Sequence, residues 1–171
     1  MRFDAWNAIR YASKLGSRDG FYLVLDKGID VNTVRITDGF TALHNVIRAG
    51  NEHAARMLVD NGADVNKAVA RGTGHAEGMR PLHFAVARGS ALMAKLLLER
   101  GADINIRDRD GHTLITFGIA DNDEDRLAAM SALLNAGADL QIPNNKGVTA
   151  LHIACFQGAP QVVELLQARG G

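Results

Sequence analysis

Cysteine is nearly absent: Cys155 stands alone among 171 residues. A single thiol closes no internal disulfide and builds no thiolate zinc site, and it suits a reducing compartment. Net charge is missing too. The 19 basic and 19 acidic residues give a formal charge of +0, which argues against a general polyanion binder, nucleic acid included, and leaves no global steering field. No apolar run reaches the roughly 18 residues that a spanning helix needs. The opening MRFDAWNAIRYASKLG lacks the continuous apolar core of a signal peptide, because Asp4, Asn7 and Arg10 interrupt it. The expectation is a cytoplasmic chain with no membrane partner. What is present suffices for a core: 47% of residues are hydrophobic and 22% charged, enough for one ordinary domain.

The chain repeats itself. LVLDKGIDVN ends at Asn32, MLVDNGADVN at Asn66, LLLERGADIN at Asn105 and LLNAGADLQ at Gln141, and a partial copy, LLQARGG, closes the sequence. The unit's glycines are Gly28, Gly62, Gly101, Gly137 and Gly170, spaced 33 to 39 residues apart. A second motif runs in phase: GFTALHNVIRAGN from Gly39, GMRPLHFAVARGS from Gly78, GHTLITFGIADN from Gly111 and GVTALHIACFQGA from Gly147, with WNAIRYASKLGS as a degenerate first copy.

Each copy reads as two short helices. In LHNVIRAG (43–50) the apolar residues recur at helical spacing. After the Gly50-Asn51 break, EHAARMLVDNG forms a second helix that stops on Gly62. Neither is long enough to stand alone in water, so each pair must bury its apolar face against the next. The ADVN segments and the polar residues after them are the turns that project from each pair.

Together the two motifs resemble the ankyrin repeat, with its T-P-L-H-x-A segment recurring about every 33 residues. The resemblance covers the whole chain as five repeats, about 1–32, 33–66, 67–105, 106–141 and 142–171. It implies an all-α solenoid of helix-turn-helix repeats with projecting β-turn or hairpin fingers, forming a single domain. Gln167 replaces the apolar residue that Leu25, Val59, Leu98 and Leu134 supply in the same slot. That suits a terminal repeat, and the domain is expected to end with the chain, with Val162 and Val163 leaving some apolar surface.

Several residues invite a catalytic reading. His44, His83 and His152 occupy one slot in three repeats, with Arg10 and Thr116 in the others. Register-equivalent positions on packed helices lie about 8–10 Å apart, too far for ligands that each approach zinc to roughly 2.0–2.1 Å. The resemblance implies structural hydrogen bonds that tie the turn to the next repeat. KAVARGTGHAEGMRPLH (67–83) contains the pair His75 and Glu77. It matches half of a zinc deaminase motif, but the P-C-x-x-C half is absent. Its glycines fit neither G-x-G-x-x-G nor G-K-[ST]. Six residues separate Asn105 from Gly111 and Gln141 from Gly147, whereas twelve separate Asn66 from Gly78. The stretch is therefore a turn lengthened by six residues. Asp121 to Asp125 shows D-x-D-x-D spacing, but Arg126 and Ala132 stand where a calcium loop needs Gly and Glu. The carboxylates are expected to cap the helix DRLAAMSALLNAG. Cys155 follows Leu-His-Ile-Ala and is expected to be a buried, inert thiol. No cofactor or metal is expected, and no nucleophile sits beside a base in a recognisable motif.

The resemblance implies that function lies on the turn tips and first helices. The slot after each turn glycine holds Phe40, Met79, His112 and Val148, with Trp6 in the first copy. This apolar file is the expected hot-spot strip. Arg48, Arg88 and Phe156 near the ends of first helices, with Arg35, Arg107, Arg109, Lys146 and His75 in the fingers, add a mostly basic rim. The expected function is non-enzymatic binding of another protein with an acidic patch, as an inhibitor, immunity factor or adaptor that is monomeric on its own. The alternative is a small metal-binding protein or enzyme using the 67–79 loop, with His75, Glu77 and His112.

Overall fold

The computed structural model describes residues 5–15, 18–70, 76–108, 110–119 and 124–170. Among them lie ten helices: α1 (Ala5–Leu15), α2 (Arg18–Asp26), α3 (Ala42–Arg48), α4 (Glu52–Asp60), α5 (Pro81–Ala87), α6 (Ala91–Glu99), α7 (Leu114–Gly118), α8 (Glu124–Asn135), α9 (Ala150–Gln157) and α10 (Pro160–Gln167). The only strand-like pairings among the described residues are two isolated bridges, Val34 with Thr41 and Arg107 with Thr113. The all-α repeat architecture with turn fingers is thus as the sequence implies.

The chain divides into two compact units, Met1–Phe84 and Ala85–Gly171. In the first, α1 packs on α2, α3 and α4, and α3 packs on α4. Ile9, Leu43, Ile47, Leu58 and Leu82 are fully buried there. In the second, α8 packs on α6, α7 and α10, while α9 packs on α7 and α10. Met93, Leu97, Leu114, Ile115 and Met130 form its centre. Each such side chain contributes about 1.5–3 kcal/mol on burial. Helices of five to twelve residues persist only because this packing outweighs their nucleation cost.

The termini of these helices follow from named residues. Asn51 starts α4 by accepting a hydrogen bond from the Ala54 N–H (2.9 Å), and Ser90 starts α6 through the Met93 N–H (3.3 Å). Pro160 opens α10, where its missing N–H costs nothing. Gly89 does two things at the start of its break. Its φ is +72°, and a Cβ there would sit 2.7 Å from the Asp125 Cβ and 2.8 Å from the Asp125 backbone carbon. The beginning of α8 therefore rests directly on this glycine. Residues 121–123, expected to cap α8, lie outside the described residues.

The ADVN segments are more than turns. Asp30, Asp64, Asp103 and Asp139 each accept the backbone N–H two residues on, at 2.8 to 3.1 Å. Three of the residues so positioned reach the following repeat. Asn32 donates to the Gly62 carbonyl (3.2 Å) and accepts from the Asp64 N–H (2.7 Å). Asn105 accepts from the Asp139 N–H (3.4 Å), and Gln141 donates to the Gly170 carbonyl (3.1 Å). A side-chain amide, which both donates and accepts, suits this clamp.

Candidate functional site

The fingers share one backbone closure. In the fourth repeat the Asp108 N–H donates to the His112 carbonyl (3.0 Å), and the Gly111 N–H returns to the Asp108 carbonyl (3.1 Å). In the fifth, Asn144 pairs with Val148 and Gly147 in the same way. The lengthened finger repeats the pattern: the Val69 N–H donates to the Met79 carbonyl (2.8 Å), and the Gly78 N–H to the Val69 carbonyl (3.1 Å). Val69 is buried at its base. The extra residues are thus inserted beyond a closure identical to that of the short fingers. His75 lies outside the described residues, as does Arg109.

The recurrent histidines act locally. The His44 Nδ1 accepts from the Thr41 N–H (3.1 Å) and lies 2.8 Å from the Thr41 hydroxyl, which in turn accepts from the His44 N–H. The ring thereby completes a capping box at the start of α3. His83 does the same with the Arg80 N–H (3.0 Å), and His152 with the Thr149 N–H (3.4 Å) and hydroxyl (2.7 Å). Accepting at Nδ1 places the proton of the neutral ring on Nε2. For His44 that nitrogen is buried, and it closes no hydrogen bond among the described residues. Burial drives the His44 pKa from 6.5 to about 4, against the opposing attraction of the Lys67 and Met79 carbonyls and the Asp64 carboxylate. The Lys67 and Met79 backbone groups of the next turn thus draw on the His44 ring, in the direction of the expected tie between repeats, while the hydrogen bonds at Nδ1 are local. In the fourth repeat Thr116 replaces histidine and bonds the Thr113 carbonyl (2.6 Å) instead.

The apolar file expected at the surface is only partly there. Trp6 is 2% exposed and Phe40 6%. The Trp6 indole N–H donates to the Phe40 carbonyl (2.8 Å), and the Phe40 ring packs on Phe84 and edge-on to His44. Both aromatics, expected on the contact strip, are held inward because each satisfies a core contact there, and they expose almost no surface. Met79, His112 and Val148 are half-buried. Arg35 is also partly covered, and Asp38 holds its guanidinium as an ion pair. Arg48, Arg88 and Phe156 are exposed, Phe156 at 94%. Sequence reasoning passed over Ile36, which is 98% exposed in the second finger. Its signal was an isoleucine inside a polar turn.

Two further expectations need correcting. Cys155 is exposed, not buried. Ile47, Val86 and Ile119 fill its slot in other repeats and are buried, but no helix pair follows α10 among the described residues. Arg107, expected as a partner-facing tip, is instead a staple. It donates to the Gly111 carbonyl (3.0 Å), the Pro143 carbonyl (2.9 Å) and the Asn145 side chain (3.3 Å), joining the fourth finger to the fifth.

Asp108, Asp110 and His112 bring three potential metal-ligand atoms within 4.8 Å of one another. Turn chemistry accounts for this. The Asp108 carboxylate accepts the Asp110 and His112 N–H groups (2.9 and 2.8 Å). The uncharged Asn144 accepts those of Lys146 and Val148 in the next finger with the same geometry (2.9 and 3.0 Å). No helix among the described residues is long and apolar enough to cross a membrane.

Comparison with protein families gives matches to models described as ankyrin repeats (3 copies) over residues 9–108 and ankyrin repeats (many copies) over residues 120–167. A search of the curated proteins found no match.

Proposed function

The chain belongs to the ankyrin-repeat family, whose repeats are in general protein–protein interaction modules, and from that premise we propose that it is a non-enzymatic, single-domain binder of another protein. Its contacts are made by the fingers and the ends of the first helices, and it acts by occupying its partner's surface, as an inhibitor, immunity factor or adaptor working as a cytoplasmic monomer. The observation that most supports this reading is the near-complete exposure of Ile36 and Phe156, large apolar side chains at a finger tip and in the last turn of α9, where neither serves the core. Met79, His112 and Val148, half-buried at the finger bases, are proposed to border the contact, and Arg88 to contribute to its polar rim. Among the described residues no arrangement of nucleophile, base and oxyanion donors favours an enzyme.

The test is affinity capture with the wild-type chain and with an Ile36→Ser, Phe156→Ser variant as baits. Partners retained by the first and lost by the second, with unfolding midpoints unchanged, are the expected result. Hot-spot side chains at interface centres are each worth about 2 kcal/mol or more. Equal capture by both baits would remove these residues from the interface, and no reproducible partner for wild type would sink the binding reading.

A further inference from the structure

We propose that the groove between α9 and α10, at Cys155, Gly158 and Val163, docks the first turns of an amphipathic helix of the partner protein, a helix that begins with a basic residue. This rests on the protein-binding reading and names the element that the partner presents.

The same seat is filled once inside the fold. Gly89 separates α5 from α6, and the first turn of α8, from the repeat that follows, lies against it. A Cβ on Gly89 would stand 2.7 Å from the Asp125 Cβ and 2.9 Å from the Arg126 nitrogen, and α6 packs on α8. Val86 and Ala94, on either side of Gly89 in the chain, are fully buried. In the last repeat Gly158 separates α9 from α10, with φ +65° against +72° at Gly89. Here a Cβ would meet nothing within 4 Å. Cys155 and Val163, which stand to Gly158 as Val86 and Ala94 stand to Gly89, are exposed and half-buried. With Pro160 and Glu164 they line a groove of about 360 Å³.

The groove thus continues an interface that the fold already builds, and the element that fills it there is the start of a helix. A glycine at its floor lets a foreign backbone approach closely. Its apolar walls suit aliphatic side chains at helical spacing, the usual way that an amphipathic helix lies in a groove. The exposed Phe156, next to Cys155 on α9, extends the apolar surface. The charge is set by Glu164. It stands where the third repeat has Lys95, and the helix seated in that repeat has Asp125 in its first turn. The reversed sign calls for a basic residue in place of that aspartate, since charges across an interface select the partner.

The experiment uses two synthetic peptides: residues 124–136 of this chain, which include the helix in the internal seat, and the same peptide with Asp125→Lys. The readout is the rate at which N-ethylmaleimide alkylates Cys155, the single thiol of the full chain. Peptide is added up to the millimolar range, because so short a helix forms only partly in isolation. Alkylation should slow saturably, and the Asp125→Lys peptide should half-saturate at about threefold lower concentration, as for an exposed ion pair. Glu164→Lys in the chain should reverse that order. Val163→Arg should raise half-saturation by about tenfold or more, and Leu92→Arg, at an exposed site on α6, should leave it unchanged. Pro160→Arg, at an exposed lining position, carries the test should Val163→Arg fail to fold. The groove is refuted by no slowing with either peptide, by slowing that Val163→Arg leaves intact, by an equal loss in Leu92→Arg, or by weaker binding of the Asp125→Lys peptide. Alkylation that slows as the chain alone is concentrated would assign the groove to a second copy and refute the partner helix. A captured partner that Val163→Arg retains would refute the groove and leave the protein-binding reading standing.

Discussion

His44 makes the stability of this protein depend on pH in a window that is set by the structure. The ring is 0% exposed, its Nδ1 already accepts the Thr41 N–H, and its pKa is lowered from 6.5 to about 4. Protonation would place a second donor against that N–H and a charge in a dry site. The unfolded chain therefore binds this proton more readily than the folded one. The stability tied to the neutral ring is fully present above pH 6.5, declines as pH falls towards 4, and is lost below that. At 1.36 kcal/mol per pKa unit the decline totals about 3 kcal/mol, a large share of the ordinary 5–15 kcal/mol of a domain. The assay is urea unfolding of wild type and His44→Gln at steps from pH 7.5 to 4. Other titrating groups cancel in the difference between the two. Wild type should be the more stable at pH 7.5, and the gap should shrink by about 3 kcal/mol as pH drops. A gap that stays constant across the series would refute the account of His44 as a buried neutral cap.

Three further outcomes follow from geometry. Gly89→Ala should cost more than about 2 kcal/mol, because φ is positive and the new Cβ meets the start of α8; Gly158→Ala, with φ +65° and nothing within 4 Å, should cost nearer 1 kcal/mol, and chemical denaturation of the two variants checks the order. Arg107→Ala should destabilise by about 0.5–1.5 kcal/mol by removing the hydrogen bonds to the Pro143 and Gly111 carbonyls, and Arg107→Lys should restore only part of it in thermal melts. Deleting residues 70–75 should leave the far-ultraviolet circular dichroism unchanged and shift stability by less than about 1 kcal/mol, since halving a loop changes closure entropy by only about 0.6 kcal/mol.

The repeat architecture was legible because packing forces the same apolar periodicity and the same glycine stop into every copy. The length of the third finger was legible by counting between Asn66 and Gly78. What the sequence hid were the directions of side chains. Phe40 and Met79 share a slot, yet Phe40 is buried under Phe84 and His44 while Met79 stays half-exposed, because their neighbours differ and a one-residue motif carries no record of neighbours. Arg107 and Arg48 read alike as basic residues near a turn. One donates a hydrogen bond within its own finger and two to the adjacent one, and the other stacks on a ring, a difference that only three-dimensional reach decides. Cys155 misled for a related reason: its slot holds the buried apolar residues Ile47, Val86 and Ile119 in the three repeats before it, and only what packs on it determines whether water reaches it.

The closure at the base of the third finger has an evolutionary side. Val69, Gly78 and Met79 make the same two backbone hydrogen bonds as the short fingers do, so the framework senses only where the loop leaves and returns. What lies between can lengthen, shorten or change composition with little penalty to folding. That separates two kinds of selection, one acting on the base and one on the tip. A foreign peptide whose ends come together could be spliced in at the same place, making this finger a socket for new recognition sequences.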